Sequence, residues 1–176
     1  KTIRYLEEEI FNEIDWVNRY LRQAGLIDRV QVDCIVNFTL IWNIFEGHVC
    51  YEKASVSKFD AIVRELNDRG ILSNVDFENH LTYFKSRYIS DGIVNGLFRG
   101  LNFRPRDRQD LVARVLLGGE SELCNVVLAL LIIVYRLRNN LFHGVKSLYT
   151  ISGQVDNFNI ANLILMRIIE LATNRP

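Results

Sequence analysis

The chain has 176 residues, of which 49% are apolar and 24% are charged, the balance of a soluble globular domain. Its formal net charge is zero, so the chain as a whole is not attracted to nucleic acid or to an anionic membrane, and any such attraction must come from a local patch. It contains only two prolines, too few for the many turns of an all-β domain, and we therefore expect an all-α fold.

Apolar residues spaced by three and four positions predict a bundle of about six helices within a single domain, residues 1–176. The longer segments cover about 3–24, 32–49, 55–70, 76–90, 120–144 and 157–174, and a short helix covers about 107–117. The segments at 32–49 and 120–144 are the most apolar, and we predict that they are the two central buried helices. Between them, a stretch rich in glycine and arginine at about 91–106 is predicted to be an irregular loop.

The cysteines and the apolar runs indicate a cytoplasmic protein. Cys34, Cys50 and Cys124 are odd in number and far apart, as expected of free, buried thiols in a reducing compartment. His48 and Cys50 would be half of a metal site, but no second pair accompanies them, so neither a metal nor a cofactor is expected. The longest apolar run, Val126 to Tyr135, is about half of the roughly 20 residues that span a bilayer, so a core helix and no membrane contact are predicted.

The sequence "IVYRLRNNLFHGVK", at 133–146, ends an apolar helix with a group of polar residues. An apolar stripe at alternating steps of four and three, Leu123 to Leu141, faces the predicted core, and Gly144 ends the helix. At about 100° per residue, His143 lies roughly 20° from Arg136 and roughly 140° from Arg138, with Asn139 and Asn140 flanking them on an exposed face.

Two interpretations of this polar group remain open. Arginine and histidine near a helix C-terminus complement its macrodipole, which is a purely structural role. Alternatively, histidine moves a proton near neutral pH and arginine holds a phosphoryl oxygen, which together suit metal-independent cleavage of an RNA phosphodiester.

The motif Arg138-Asn139-Asn140-Leu141-Phe142-His143-Gly144 resembles the Rx4–6H signature of the HEPN superfamily (higher eukaryotes and prokaryotes nucleotide-binding domain). An asparagine directly after the arginine and a glycine after the histidine match its usual form. The segment "FTLIWNIFEG", from Phe38 to Gly47, is similar to the aromatic-rich helix that precedes the motif in several HEPN groups and often ends in an acid. The family comprises small α-helical domains, many of them ribonucleases of bacterial toxin–antitoxin and anti-phage systems.

The resemblance implies a homodimer in which two copies of the motif line one cleft and cleave RNA to a 2′,3′-cyclic phosphate. Arg138 would stabilise the transition state, His143 would act as base or acid, and Asn139 would position a phosphate or the histidine. Glu46 would orient Arg138 or His143. Arg136 also satisfies the Rx4–6H spacing and is kept, with Asn140, as a supporting candidate.

Some HEPN toxins carry, two residues after the histidine, a tyrosine that a partner enzyme modifies. Val145 stands at that position, so a cognate antitoxin or regulatory domain would have to act by another chemistry.

A cluster of arginines at 99–108, with Lys146 after the motif, is a candidate for binding RNA, and ordinary solvated loop charge is the alternative. Phe98 and Phe103 are interleaved with four arginines, a combination that suits single-stranded RNA because bases stack and phosphates pair. The RNA-binding candidates are Arg99, Arg104, Arg106, Arg108 and Lys146. The alternative to an endoribonuclease is a non-catalytic HEPN-fold module that mediates dimerisation or regulation and binds RNA or a nucleotide without cleaving it.

Overall fold

The all-α prediction is confirmed by the computed structural model, which describes residues 12–22, 27–142 and 152–173. Eight α-helices and one two-stranded hairpin lie within these residues. The helices are α1 (Glu13–Tyr20), α2 (Arg29–His48), α3 (Val56–Asp68), α4 (Glu78–Tyr88), α5 (Gly96–Arg99), α6 (Gln109–Leu117), α7 (Leu123–Phe142) and α8 (Val155–Thr173). The strands are β1 (Ile89–Ser90) and β2 (Ile93–Val94), which pair antiparallel.

Local sequence signals explain where the helices that carry the site begin and end. The Asp28 side chain accepts a hydrogen bond from the Gln31 backbone at 3.0 Å, and the Gln31 side chain accepts one from the Asp28 backbone at 2.7 Å, which is a capping box at the start of α2. Ser55 caps α3 by accepting from the Lys58 backbone at 3.2 Å. Gly118 ends α6 in the left-handed conformation, with φ of 81°.

Helix α7 is the centre of the bundle, as predicted. Every residue from Val126 to Val134 is buried, because α3, α6 and α8 pack around the helix and α2 adds aromatic contacts. By length and composition α7 is apolar enough to cross a membrane, but 72% of its most apolar window is buried inside the protein. This burial is that of a core helix.

Helix α2 lies beside α8, and the two run in the same direction. Near their starts, Cys34 donates a hydrogen bond to the Val155 carbonyl oxygen at 3.4 Å, and the rings of Phe38 and Phe158 are 4.9 Å apart. The prediction that α2 is a central buried helix holds for one of its faces only. The opposite face of α2 is exposed to solvent. The four buried residues of the helix are Cys34, Phe38, Trp42 and Phe45.

The stretch predicted as an irregular loop at 91–106 has more structure than expected. Strand β2 and helix α5 lie within it, and the Asn95 side chain caps α5 by accepting from the backbones of Leu97 and Phe98. After α5 the chain turns back across α7 before α6 begins. The irregular part is therefore confined to about 100–108.

All three cysteines are buried and none forms a disulfide, as predicted. Burial raises the pKa of the Cys50 thiol to about 12 and that of Cys124 to about 11. These thiols therefore stay protonated and unreactive in the folded protein near neutral pH.

Candidate functional site at the end of helix α7

Arg138 is the motif residue whose side chain reaches a partly exposed site. Its Nη2 lies 3.8 Å from the Glu46 Oε2, and its Nη1 donates a hydrogen bond to the Asn139 Oδ1 at 3.2 Å. The guanidinium lies over the rings of Trp42 and Phe142, 5.6 Å and 5.1 Å from their centroids. Since 29% of the side chain remains exposed, the arginine is held in place and is still accessible.

Glu46 is fixed from the other side by its own helix. The Trp42 Nε1 donates a hydrogen bond to the Glu46 Oε2 at 2.9 Å, one turn earlier on α2. The Trp42 indole, the Glu46 carboxylate and the Arg138 guanidinium thus form a continuous chain of contacts from α2 to α7. The structure brings Glu46 and Arg138 together, as predicted from the sequence, and adds Trp42, which was not predicted as a site residue. Trp42 and Glu46 are four residues apart on a predicted helix, and this spacing could have indicated that their side chains are in contact.

The Arg138 Nε is a further feature of this site. It is buried and has no hydrogen-bond partner among the described residues. A buried donor left without an acceptor costs about 1–3 kcal/mol, more when the group is charged. This atom is therefore available to an acceptor that the described part of the chain does not supply.

Arg136, by contrast, is buried and its hydrogen bonds serve the fold. Only 3% of the residue is exposed; its Nη1 lies 3.1 Å from the Asp107 Oδ2, and its Nε donates to the Leu101 carbonyl oxygen at 3.0 Å. Burial lowers the pKa of Arg136 from its ordinary value, and the charge of Asp107 opposes that shift. Arginine nevertheless remains protonated, so this is an internal ion pair.

Asn140 completes the attachment of the loop to α7. Its Nδ2 donates to the carbonyl oxygens of Gly100 and Leu101, each at 3.1 Å, and the residue is fully buried. The prediction that Arg136, Asn139 and Asn140 lie on an exposed face is therefore wrong. Residues 100–107 cover the face that carries Arg136 and Asn140, and helical periodicity alone contains no information about a covering loop.

The polar residues of α7 consequently face two different sides. Arg136 and Asn140 are four residues apart and share the side that contacts the loop, whereas Arg138 is rotated by about 160° from Arg136. Arg138 faces α2 instead. Of the two arginines that satisfy the motif spacing, only Arg138 keeps an accessible guanidinium. His143, Gly144 and Lys146 lie outside the described residues.

The predicted RNA-binding arginines are exposed, but the aromatic residues between them are not. Phe98 is fully buried and Phe103 is partly buried, with their rings 5.0 Å apart. They pack in the core because α5 turns its apolar side inward. The expectation that these rings would stack on bases is therefore wrong.

The charge of this arginine-rich turn is nonetheless largely unopposed. Asp107 points inward, where it pairs with Arg136 and accepts from the Arg104 backbone at 2.7 Å. Arg108 lies 3.9 Å from the Asp60 carboxylate. The remaining arginines of the turn pair with no carboxylate of the described chain: they are Arg99, Arg104 and Arg106.

Comparison of the chain with protein-family models, with curated proteins and with solved structures finds no match. The site is therefore interpreted from its own residues.

Proposed function

We propose that the chain is a metal-independent endoribonuclease of the HEPN type that acts as a homodimer. The observation that carries the proposal is the state of Arg138. It is the motif arginine with an accessible guanidinium, and Glu46 and Trp42 hold it at the end of α7. Arg136, the other arginine at motif spacing, is buried in an ion pair with Asp107. A toxin–antitoxin or anti-phage setting follows from the resemblance of the motif alone.

The proposed reaction is an internal transesterification of RNA. A base removes the proton of a 2′-hydroxyl, the 2′-oxygen attacks the adjacent phosphorus, and the bond from phosphorus to the 5′-oxygen breaks. The leaving oxygen takes a proton from an acid, which leaves a 2′,3′-cyclic phosphate and a 5′-hydroxyl. His143 of one copy or the other fills the base or acid role, and Arg138 offsets the charge that develops on the phosphorane-like transition state.

The rival proposal is a HEPN-fold module that binds RNA or a nucleotide without cleaving it. The observation that favours it is the contact between Arg138 and Glu46, which already balances the charge of the arginine. In that case the motif residues would mainly stabilise the fold and the dimer.

A cleavage assay in EDTA distinguishes the two proposals. The purified protein is incubated with single-stranded RNA beside Arg138→Ala and His143→Ala, and the products are identified by mass spectrometry. We expect the parent alone to cleave and the new ends to be lighter by one water than a linear monophosphate. A substrate with 2′-deoxy sugars must stay intact. Binding without cleavage by the parent would favour the rival module and reject the nuclease.

The unopposed arginines give a separate prediction for RNA binding. Replacing Arg104 and Arg106 together by alanine should flatten the plot of log K against log salt by about 1.4, because each phosphate contact on a single strand contributes about 0.7. Fluorescence anisotropy with labelled RNA at several salt concentrations measures this slope. Replacing Arg64 and Arg114, two exposed arginines on α3 and α6 that pair with carboxylates one turn earlier, is the control and should leave the slope unchanged. Equal slopes for all three proteins would place RNA elsewhere on the surface.

A further inference from the structure

The outer face of α2 carries an apolar stripe that nothing in the described part of the chain covers. Val36, Leu40 and Ile44 follow one another at steps of four residues and are 47%, 58% and 46% exposed. No charged residue occurs between Cys34 and Phe45. An uncharged stripe of large side chains on a helix of this length is typical of a surface that contacts another protein.

The neighbouring helix also carries exposed apolar residues. Leu163 and Met166 on α8 are also about half exposed, and α8 runs beside α2 in the same direction. Two adjacent helices of this length, about 30 Å long and 10 Å wide each, present a footprint of roughly 600 Å². A stable interface needs about 800 Å² of accessible surface from each partner, and accessible surface exceeds its projected footprint. The face is thus large enough for a specific interface.

The order of residues along the stripe points to its occupant. Val36 lies four residues before Leu40 and Ile44 lies four residues after it, so the stripe is similar when read in either direction. We propose that the outer face of α2 binds the same face of a second copy of this chain, antiparallel and about a twofold axis at Leu40. Leu40 then meets Leu40 of the second copy, and Val36 meets its Ile44, as an isologous interface requires.

The charges at the two ends of the stripe fit this arrangement. Asp33 lies seven residues before Leu40, and Gly47 and His48 lie seven and eight residues after it. In the antiparallel pair the Asp33 carboxylate, which lies 3.9 Å from the Arg29 Nη1 of its own helix, comes beside the His48 imidazole of the other copy, twice by symmetry. Gly47 has open space where a side chain would begin, so the partner helix can approach closely there.

The arrangement also defines how two sites would be related, a consequence that rests on the proposed function. Trp42 and Glu46 lie on the flank of α2 that faces α7. A twofold axis perpendicular to α2 and lying in the interface keeps both of these flanks on the same side of the dimer. Glu46 is six residues from Leu40, so with helices about 8–10 Å apart the two Glu46 positions are roughly 20 Å from each other. One RNA strand could then contact both sites.

Sedimentation velocity tests the interface without RNA. We expect the parent to sediment as a dimer and Leu40→Glu as a monomer with unchanged circular dichroism. Leu97→Glu is the matched control, because Leu97 is 53% exposed on α5 and should leave the dimer intact. An equimolar mixture of Leu40→Glu and Leu40→Lys should restore the dimer, since opposite charges then meet at the axis.

A cross-linking experiment tests the register of the pair. When Leu40→Cys is treated with oxidised glutathione, a disulfide should form between position 40 of one copy and position 40 of the second. The three natural cysteines are buried and stay inert. A parent that is monomeric, or a Leu40→Glu variant that stays dimeric, would overturn the proposal. If the parent is monomeric and Leu40→Glu unfolds at a lower temperature, residues 1–11 of the same chain would instead be the segment that covers the stripe. A dimer built through this stripe that fails to cleave RNA would reject only the ribonuclease.

Discussion

Replacing Asp107 by alanine should lower the free energy of unfolding by about 3–5 kcal/mol, because it leaves the charge of Arg136 buried without a partner. Both residues are at most 5% exposed, and their side chains approach to 3.1 Å. Asp107 also accepts a hydrogen bond from the Arg104 backbone, so the same change releases the loop that crosses α7. Urea denaturation followed by circular dichroism measures the loss.

A neighbouring carboxylate provides the control for this experiment. Asp110 pairs with Arg114 on the surface of α6, where 75% and 57% of the two side chains are exposed, so Asp110→Ala should cost less than about 1 kcal/mol. Combining Asp107→Leu with Arg136→Met removes both charges and should cost less than the two single changes together. An Asp107→Ala protein as stable as Asp110→Ala would show that the buried pair contributes little.

His143→Ala and Arg138→Ala should each reduce the rate of RNA cleavage by about 10²–10⁴-fold if the proposed function is correct. A positioned general acid or base contributes about that factor, and the loss of one charge-stabilising donor costs about 10²–10³-fold. Single-turnover rates with a short labelled RNA separate the chemical step from product release. The temperature of unfolding of Arg138→Ala should change little, because its contact with Glu46 is partly exposed.

Two further variants make this prediction specific to Arg138. Arg138→Lys keeps the charge and loses the planar fork, so it should fall between the parent and Arg138→Ala. Arg114→Ala removes an exposed arginine from α6 and should cleave at the parental rate. Cleavage by His143→Ala as fast as by the parent would reject the assignment of the motif.

The helices could largely be predicted from local sequence, because their signals are local. The capping residues Asp28 and Ser55 lie next to the helices they start, and the spacing of apolar residues identifies α7 and α8. The exposure of Leu40 could not be predicted. A helix that is apolar all round looks the same in sequence whether its second face meets the core, another chain or solvent, and only the arrangement of the other helices distinguishes these.

The site could be predicted in part, for a similar reason. Glu46 and Arg138 come together because each ends an apolar helix, and α2 and α7 pack against each other through Trp42 and Tyr135. The burial of Arg136 depends on Asp107, which is 29 residues earlier in the chain and folds inward from a loop. No periodicity relates these two positions, so an internal ion pair and an exposed phosphate-binding arginine could not be told apart.

The packing of α2 against α8 has a consequence for the newly made chain on the ribosome. Cys34 and Val155, which contact each other at the start of the two helices, are 121 residues apart. At a synthesis rate of about 5–20 residues per second, α2 emerges roughly 6–24 s before its neighbour is made. During that time Phe38 and the rest of its inner face have no final partner. The core can therefore close only after α8 has been made, and the nascent chain must avoid aggregation until then.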